Sequence, residues 1–203
     1  MKIPPAKSQL PRPFYDRPTI QVARELLGKT LLLRAGGEWV GGMIVETEAY
    51  LPADDPASHS ARGKTPSNAS MFGPPGTLYV YPIHAKHCLN AVTEKEGIGA
   101  AVLIRALQPI WGVESMQRRR GFDDLRRLTR GPAMLCQALG VDRNADGTDL
   151  IADRGIRIAA MPEPTPIEIH CSRRIGISKA VDHPNRFFAR DNRYVSGPRR
   201  DHA

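Results

Sequence analysis

The stretch Ile44-Val45-Glu46-Thr47-Glu48-Ala49-Tyr50 constrains this chain more than any other. Its β-branched residues favour a strand, and Gly41-Gly42 ahead of it reads as a turn. Side chains alternate between the faces of a strand, so Glu46, Glu48 and Tyr50 share one face, about 7 Å apart. A solvated edge has little use for two acids and a phenol in that order, and a buried core has less. A ligand site has a use for both, because a carboxylate moves a proton and a flat ring stacks on a planar ligand. A strand-end Glu is commonly just solvated, and a Tyr beside it commonly caps a core. The stretch alone therefore leaves both readings open, since a carboxylate informs only when something holds it.

The chain of 203 residues is long enough for one domain with a real core. Its 18 Gly and 18 Pro predict many turns. No apolar run approaches the roughly 20 residues that span a bilayer. Met1-Lys2-Ile3-Pro4-Pro5 lacks the apolar core of a signal peptide. Three dispersed cysteines, Cys88, Cys136 and Cys171, suggest reduced thiols. The expectation is a cytoplasmic protein, nucleoid-associated if bacterial, with no membrane partner. The net charge is +8, unevenly placed: residues 1–115 hold 12 Lys+Arg against 10 Asp+Glu, and residues 116–203 hold 17 against 11. A basic half points toward a polyanion, most often nucleic acid, although many small basic proteins bind none.

Residues 1–18 carry five prolines and read as an irregular arm. Gln21–Leu27 has helical spacing and ends at Gly28. Thr30–Leu33 and Trp39–Tyr50 form a hairpin that delivers Glu48 at its far end. A long polar loop, 51–76, follows; it holds Asp54, Asp55, His59, Arg62, Lys64 and Thr65. Loops of this length tend to be functional. Thr77–Ile83 alternates as a strand with Tyr79 and Tyr81 on one face, and Pro82 limits its pairing. His84–His87 is a tip, Cys88–Thr93 a return strand and Ala100–Leu107 an apolar strand with one charge, Arg105. That Arg either snorkels to water or grips an anion with its planar fork. Helices are expected at Trp111–Arg120 and Gly131–Leu139. The tail alternates β-like runs, Ile156–Ala159, Pro166–His170 and Arg174–Ile177, before a hairpin of Pro184–Arg190 and Tyr194–Ser196.

No Walker loop, dinucleotide fingerprint or nucleophile elbow is present. His84, His87 and Cys88 lack a fourth ligand, so no metal and no cofactor is expected. A strand-end carboxylate, aromatic rings, an imidazole, a strand Arg and a basic surface remain.

These residues carry a resemblance. Val45-Glu-Thr-Glu-Ala-Tyr50, His59-Ser60, Gly76-Thr-Leu-Tyr-Val-Tyr81, Asn90, Leu103-Ile-Arg-Ala-Leu107, Gly131-Pro-Ala-Met-Leu-Cys-Gln-Ala-Leu139, Arg174-Ile-Gly-Ile177 and Arg186-Phe-Phe188 resemble the alkyladenine (3-methyladenine) DNA glycosylase family of mammalian type, in the family's order. The fold expected is mixed α+β: one domain with a curved, mostly antiparallel sheet and short helices around it. Its domain would span 19–197, between the 1–18 arm and a 198–203 tail.

The resemblance implies a monofunctional, monomeric base-excision enzyme acting on double-stranded DNA. It would flip an alkylated or deaminated purine (3-methyladenine, 7-methylguanine, hypoxanthine or ethenoadenine class) and hydrolyse its N-glycosidic bond, leaving an abasic site. Glu48 would activate the water, and Arg105 would hold that water or the nucleotide's phosphate. Tyr50 and Tyr81 would wall a slot wide enough for one purine, with His59 closing it. Asn90 at its floor would clash with the amine of normal guanine. Arg62, Lys64 and Thr65 would meet the DNA backbone. The sequence departs from the family in two places. His84 stands where the family has an intercalating Tyr, in a segment one residue shorter, and Met134 replaces a usual basic residue. Two other readings compete with excision: a non-catalytic binder of damaged or distorted DNA, and an RNA-binding module resting on charge alone.

Overall fold

The computed structural model describes residues 2–164 and 166–198. Eight strands form one open antiparallel sheet: β1 (Thr30–Ala35), β2 (Glu38–Tyr50), β3 (Leu78–Ile83), β4 (Lys86–Thr93), β5 (Ala100–Trp111), β6 (Ile156–Ala159), β7 (Ile169–Ser172) and β8 (Arg186–Ala189). Among the described residues five short α-helices surround it: α1 (Arg12–Tyr15), α2 (Thr19–Leu26), α3 (Val113–Arg120), α4 (Leu125–Leu128) and α5 (Pro132–Leu139). This is the mixed α+β single domain expected. No described helix is long and apolar enough to cross a membrane.

The central path runs β3-β4-β5-β2-β1-β6. β2 serves two neighbours on one side: β1 pairs with Glu38–Met43, and β8 pairs with Glu46–Glu48. The core fills one face of the sheet. Val22, Ala23 and Leu26 of α2 reach it, as do Leu135, Cys136, Ala138 and Leu139 of α5. Apolar residues recurring every three or four positions give each helix one buried stripe.

A pair of bulges aims the site. Ile44 pairs with Leu107, Glu46 with Ala106 and Thr47 with Ile104, so Val45 on β2 and Arg105 on β5 are each an extra residue. A bulge shifts the side-chain alternation by one. Ile44 therefore faces the core, and so do Thr47, whose hydroxyl donates to the Ala23 carbonyl (2.8 Å), and Ala49. Glu46, Glu48 and Tyr50 take the opposite face, as the alternation predicted. The bulge aims Arg105 at the acids.

Gly41-Gly42 is not the turn expected. Both residues lie inside β2, squeezed between β1 and β5. A Cβ on Gly41 would sit 2.1 Å from the Leu31 carbonyl oxygen, and one on Gly42 would sit 2.0 Å from that of Gln108. Arg174–Ile177 forms no strand, because its first two residues are tied to side chains: Arg174 to Asp55 and the Ile175 N–H to Glu48. The last hairpin is β7 with β8, while Tyr194–Ser196 packs as a loop. The 1–18 arm has a helical turn at Ala6–Ser8 and α1, and it buries Leu10 and Tyr15 in the core. Of the 198–203 tail, 199–203 lie outside the described residues.

Candidate active site

Six charges meet with their side chains almost fully buried: Glu46, Glu48 and Asp55 against Arg105, Arg174 and Arg186. Three acids and three bases balance, and balance is what makes such burial tolerable.

The two glutamates of the motif differ in what surrounds them. Glu46 Oε1 accepts from Arg105 Nε (3.0 Å), Arg186 Nε (2.7 Å) and the Ser196 hydroxyl (2.9 Å), and its Oε2 accepts from the Ser196 N–H (2.7 Å). An ionised carboxylate offers about four acceptor positions, so Glu46 is saturated. Burial alone would raise its pKa, but the guanidiniums of Arg105 and Arg186 outweigh that and hold it low. Glu48 Oε1 accepts from the Ile175 N–H (2.8 Å) and lies 3.2 Å from Arg105 Nη1, and its Oε2 accepts from the Tyr50 hydroxyl (2.9 Å). Among the described residues Glu48 therefore keeps an acceptor position open.

Arg105 is consumed inside this cluster, since Nη2 also donates to Ser196 Oγ (3.2 Å). Burial would lower its pKa, but Glu48 and Glu46 raise it.

Tyr50, His59, Met71, Tyr79, Tyr81 and Asn90 line one slot. Here the structure brings together all four predicted pocket residues. Glu48 does not line it; the carboxylate is one hydrogen bond away, behind the Tyr50 hydroxyl. The slot is narrower than expected. Its cavity volume is about 20 Å³, room for one water but not for a purine's fused rings. His59 closes it, with its ring 4.5 Å from that of Tyr81 and Nδ1 2.8 Å from the Tyr79 hydroxyl. Burial, then Arg62, lowers the His59 pKa. Burial pushes Tyr79 up to about 12 and also raises Tyr50 and Tyr81, so all three stay phenols. Asn90 donates from Nδ2 to the Tyr79 carbonyl (3.0 Å).

His84 and Ala85 form a two-residue hairpin turn between β3 and β4, with φ of 44° and 60°. The tip is shorter than expected, because Lys86 and His87 already belong to β4. Ile83 follows Tyr79 and Tyr81 by the alternation of a strand and is exposed beside His84. Met134, at the start of α5, has the Lys86 ammonium 4.0 Å from its sulfur, so a cation stands near the place the family pattern gives to one. Arg62 and Lys64 are exposed after the His59 turn, with no ion-pair partner among the described residues, and the Thr65 hydroxyl donates to Asn68 (3.0 Å).

The basic C-terminal half is largely spent internally. Arg119 donates to the Ala138 carbonyl, Arg120 to that of Leu128, Arg126 to that of Arg193, and Arg130 to those of Val195 and Gly197. The residues that sequence reasoning missed are Asp55, Arg174, Ile175, Arg186 and Ser196. Arg174 and Arg186 lay in quoted motifs, but without partners those motifs assign no role.

A carboxylate held by arginine behind an aromatic slot is the kind of arrangement an enzyme's active site uses. Comparison narrows this. Residues 13–193 match the family model described as methylpurine-DNA glycosylase. A protein of Rhodopirellula baltica, provisionally named 3-methyladenine DNA glycosylase, is 55% identical over 194 residues, 93% of this chain and 83% of its own. Proteins with the same provisional name from Methanoculleus marisnigri and Burkholderia lata are each 48% identical, over 92% and 93% of this chain and 98% and 91% of their own. The chain belongs to the methylpurine-DNA glycosylase family, and so to the DNA glycosylases of DNA repair.

Proposed function

We propose that this protein flips an alkylated or deaminated purine out of duplex DNA and hydrolyses its N-glycosidic bond without a metal or a covalent intermediate. The open acceptor position on Glu48, next to the saturated Glu46, carries this reading. A water bound there gives its proton to Glu48 while its oxygen attacks the sugar's anomeric carbon. The bond to the base nitrogen breaks, and its electron pair leaves with the base. A positioned base supplies about 10²–10⁴-fold, and a cationic alkylated purine leaves readily. Arg105 positions Glu48, and its place in the buried cluster argues against the phosphate contact considered from sequence.

Tyr50 stacks on one face of the flipped base, with His59 and Tyr81 on the other. A purine enters only after these rings part. Asn90 restricts the floor. The Ile83-His84 tip fills the vacated stack, while Arg62, Lys64, Thr65 and Lys86 meet phosphates. One protomer suffices for these contacts.

Purified protein should release hypoxanthine or methylated purines from duplex DNA in EDTA and leave alkali-labile sites. Glu48→Gln should abolish release. Lesion-dependent binding with no release in single-turnover assays would establish the non-catalytic alternative instead.

A further inference from the structure

The Asp55–Arg174 pair touches each part of the site without lining the slot. Arg174 forks onto Asp55, with Nη1 2.7 Å from Oδ2 and Nη2 2.6 Å from Oδ1. Nη1 also donates to the Ala49 carbonyl (3.0 Å), beside Tyr50. Asp55 further accepts from the backbone N–H groups of Leu51 (3.0 Å) and Ala57 (3.3 Å), which brace the turn that carries His59. The Arg174 guanidinium carbon lies 4.7 Å from the Tyr50 ring centroid. Arg174 Nε is buried without a hydrogen-bond partner, so its surroundings do not satisfy the group in full. The next residue, Ile175, gives its N–H to Glu48 Oε1 (2.8 Å).

A buried ion pair contributes little net stability over apolar packing of the same volume. What this pair supplies is geometry, because a planar fork fixes direction as well as distance. It joins three segments distant in sequence: the end of β2 with Glu48 and Tyr50, the His59 loop and the loop at 174–175.

We propose that the Asp55–Arg174 pair is the positioning unit of the active site: it holds the Tyr50 ring from behind and carries the Ile175 N–H to the Glu48 carboxylate. This inference rests on the excision proposed above.

The test uses the full chain carrying Asp55→Asn with Arg174→Gln, which removes both charges and keeps hydrogen-bonding groups. Should that variant not fold, Arg174→Lys is read the same way. In the free protein, NMR should show the Ile175 amide exchanging at least about tenfold faster, with shifted Tyr50 ring signals. In single-turnover assays the rate constant on hypoxanthine duplex should fall about tenfold or more, the worth of one hydrogen bond to a charged group. A merely structural role would lower the amplitude, through fewer folded molecules, and leave the rate constant alone; that result overturns the proposal. Unchanged Ile175 exchange and Tyr50 signals also overturn it. If wild-type protein releases no base, the excision reading fails, and the free-protein signals still decide the positioning.

Discussion

The two glutamates of one strand should separate stability from activity. In Glu46→Gln, every atom facing the carboxylate is a donor: Arg105 Nε, Arg186 Nε and the Ser196 N–H, with only the Ser196 hydroxyl able to turn round. Whichever way the new amide points, its NH₂ meets an N–H, and two buried guanidiniums lose a charge they share. Breaking a buried pair in this way costs about 3–5 kcal/mol. At about 2–4 °C per kcal/mol for a domain of this size, the midpoint should fall by about 6–20 °C.

Glu48→Gln is the control. Its amide oxygen still accepts from the Ile175 N–H and faces Arg105, its NH₂ donates to the Tyr50 oxygen, and Arg105 keeps Glu46. The loss should be about 1 kcal/mol or less, while the excision rate falls by about 10²–10⁴-fold. Melting followed by circular dichroism and single-turnover excision read the two effects separately. Equal melting losses in both variants, or a Glu46→Gln midpoint within about 2 °C of wild type, would refute the assignment of one acid to the scaffold and the other to chemistry.

His59 sets a pH dependence. Burial and Arg62 depress its folded pKa, so it costs nothing above about pH 6.5. As pH falls below that, the unfolded chain takes up a proton first, and stability declines until the folded imidazole titrates too. An NMR titration should place its midpoint below 6.5, and His59→Gln should remove this share of acid sensitivity; a midpoint at or above 6.5 contradicts it. Gly42→Ala drives a Cβ to 2.0 Å from a backbone oxygen on β5, which should cost about 3 kcal/mol or more or prevent folding; a melting curve matching wild type would deny that the strands approach so closely. Ser196→Ala removes a donor to Glu46 and an acceptor for Arg105, and should cost about 1–3 kcal/mol in chemical denaturation.

Local pattern recovered the hairpin of β1 and β2, the paired β3 and β4, and most helix positions, because each is closed by neighbouring residues and ended by a Gly or Pro. It failed where tertiary contacts decided the outcome. Gly41-Gly42 carries turn composition, yet the glycines are there because two flanking strands leave no room for a Cβ. Arg174–Ile177 has a strand's composition, yet its polar groups are claimed by Asp55 and Glu48. Nothing between residues 40 and 50 announces the bulge at Val45, and strict alternation placed the acids together only because it was applied after that point.

Arginine shows why the site was half legible. The sequence marked Arg105 because a lone charge in an apolar strand needs a partner, and Glu46 and Glu48 sit on the next strand of the sheet. Arg174 and Arg186 stand in the polar tail, where a charge needs no explanation, and their partners lie 119 and 140 residues away. The basic excess pointed to a polyanion by counting guanidiniums as surface charge. Most of those near α3, α4 and α5 instead donate to backbone carbonyls, two of them (Leu128 and Ala138) at helix ends, where fork geometry satisfies acceptors that the helix leaves open. These guanidiniums keep their charge but their forks are occupied, so the 17 Lys+Arg against 11 Asp+Glu of residues 116–203 overstate the phosphate contacts on offer there. Beside the slot, by contrast, Arg62 and Lys64 have no partner among the described residues. A few cations next to the pocket bear on DNA binding more directly than a larger number elsewhere, because electrostatic contacts fade within a Debye length, about 8 Å at physiological salt.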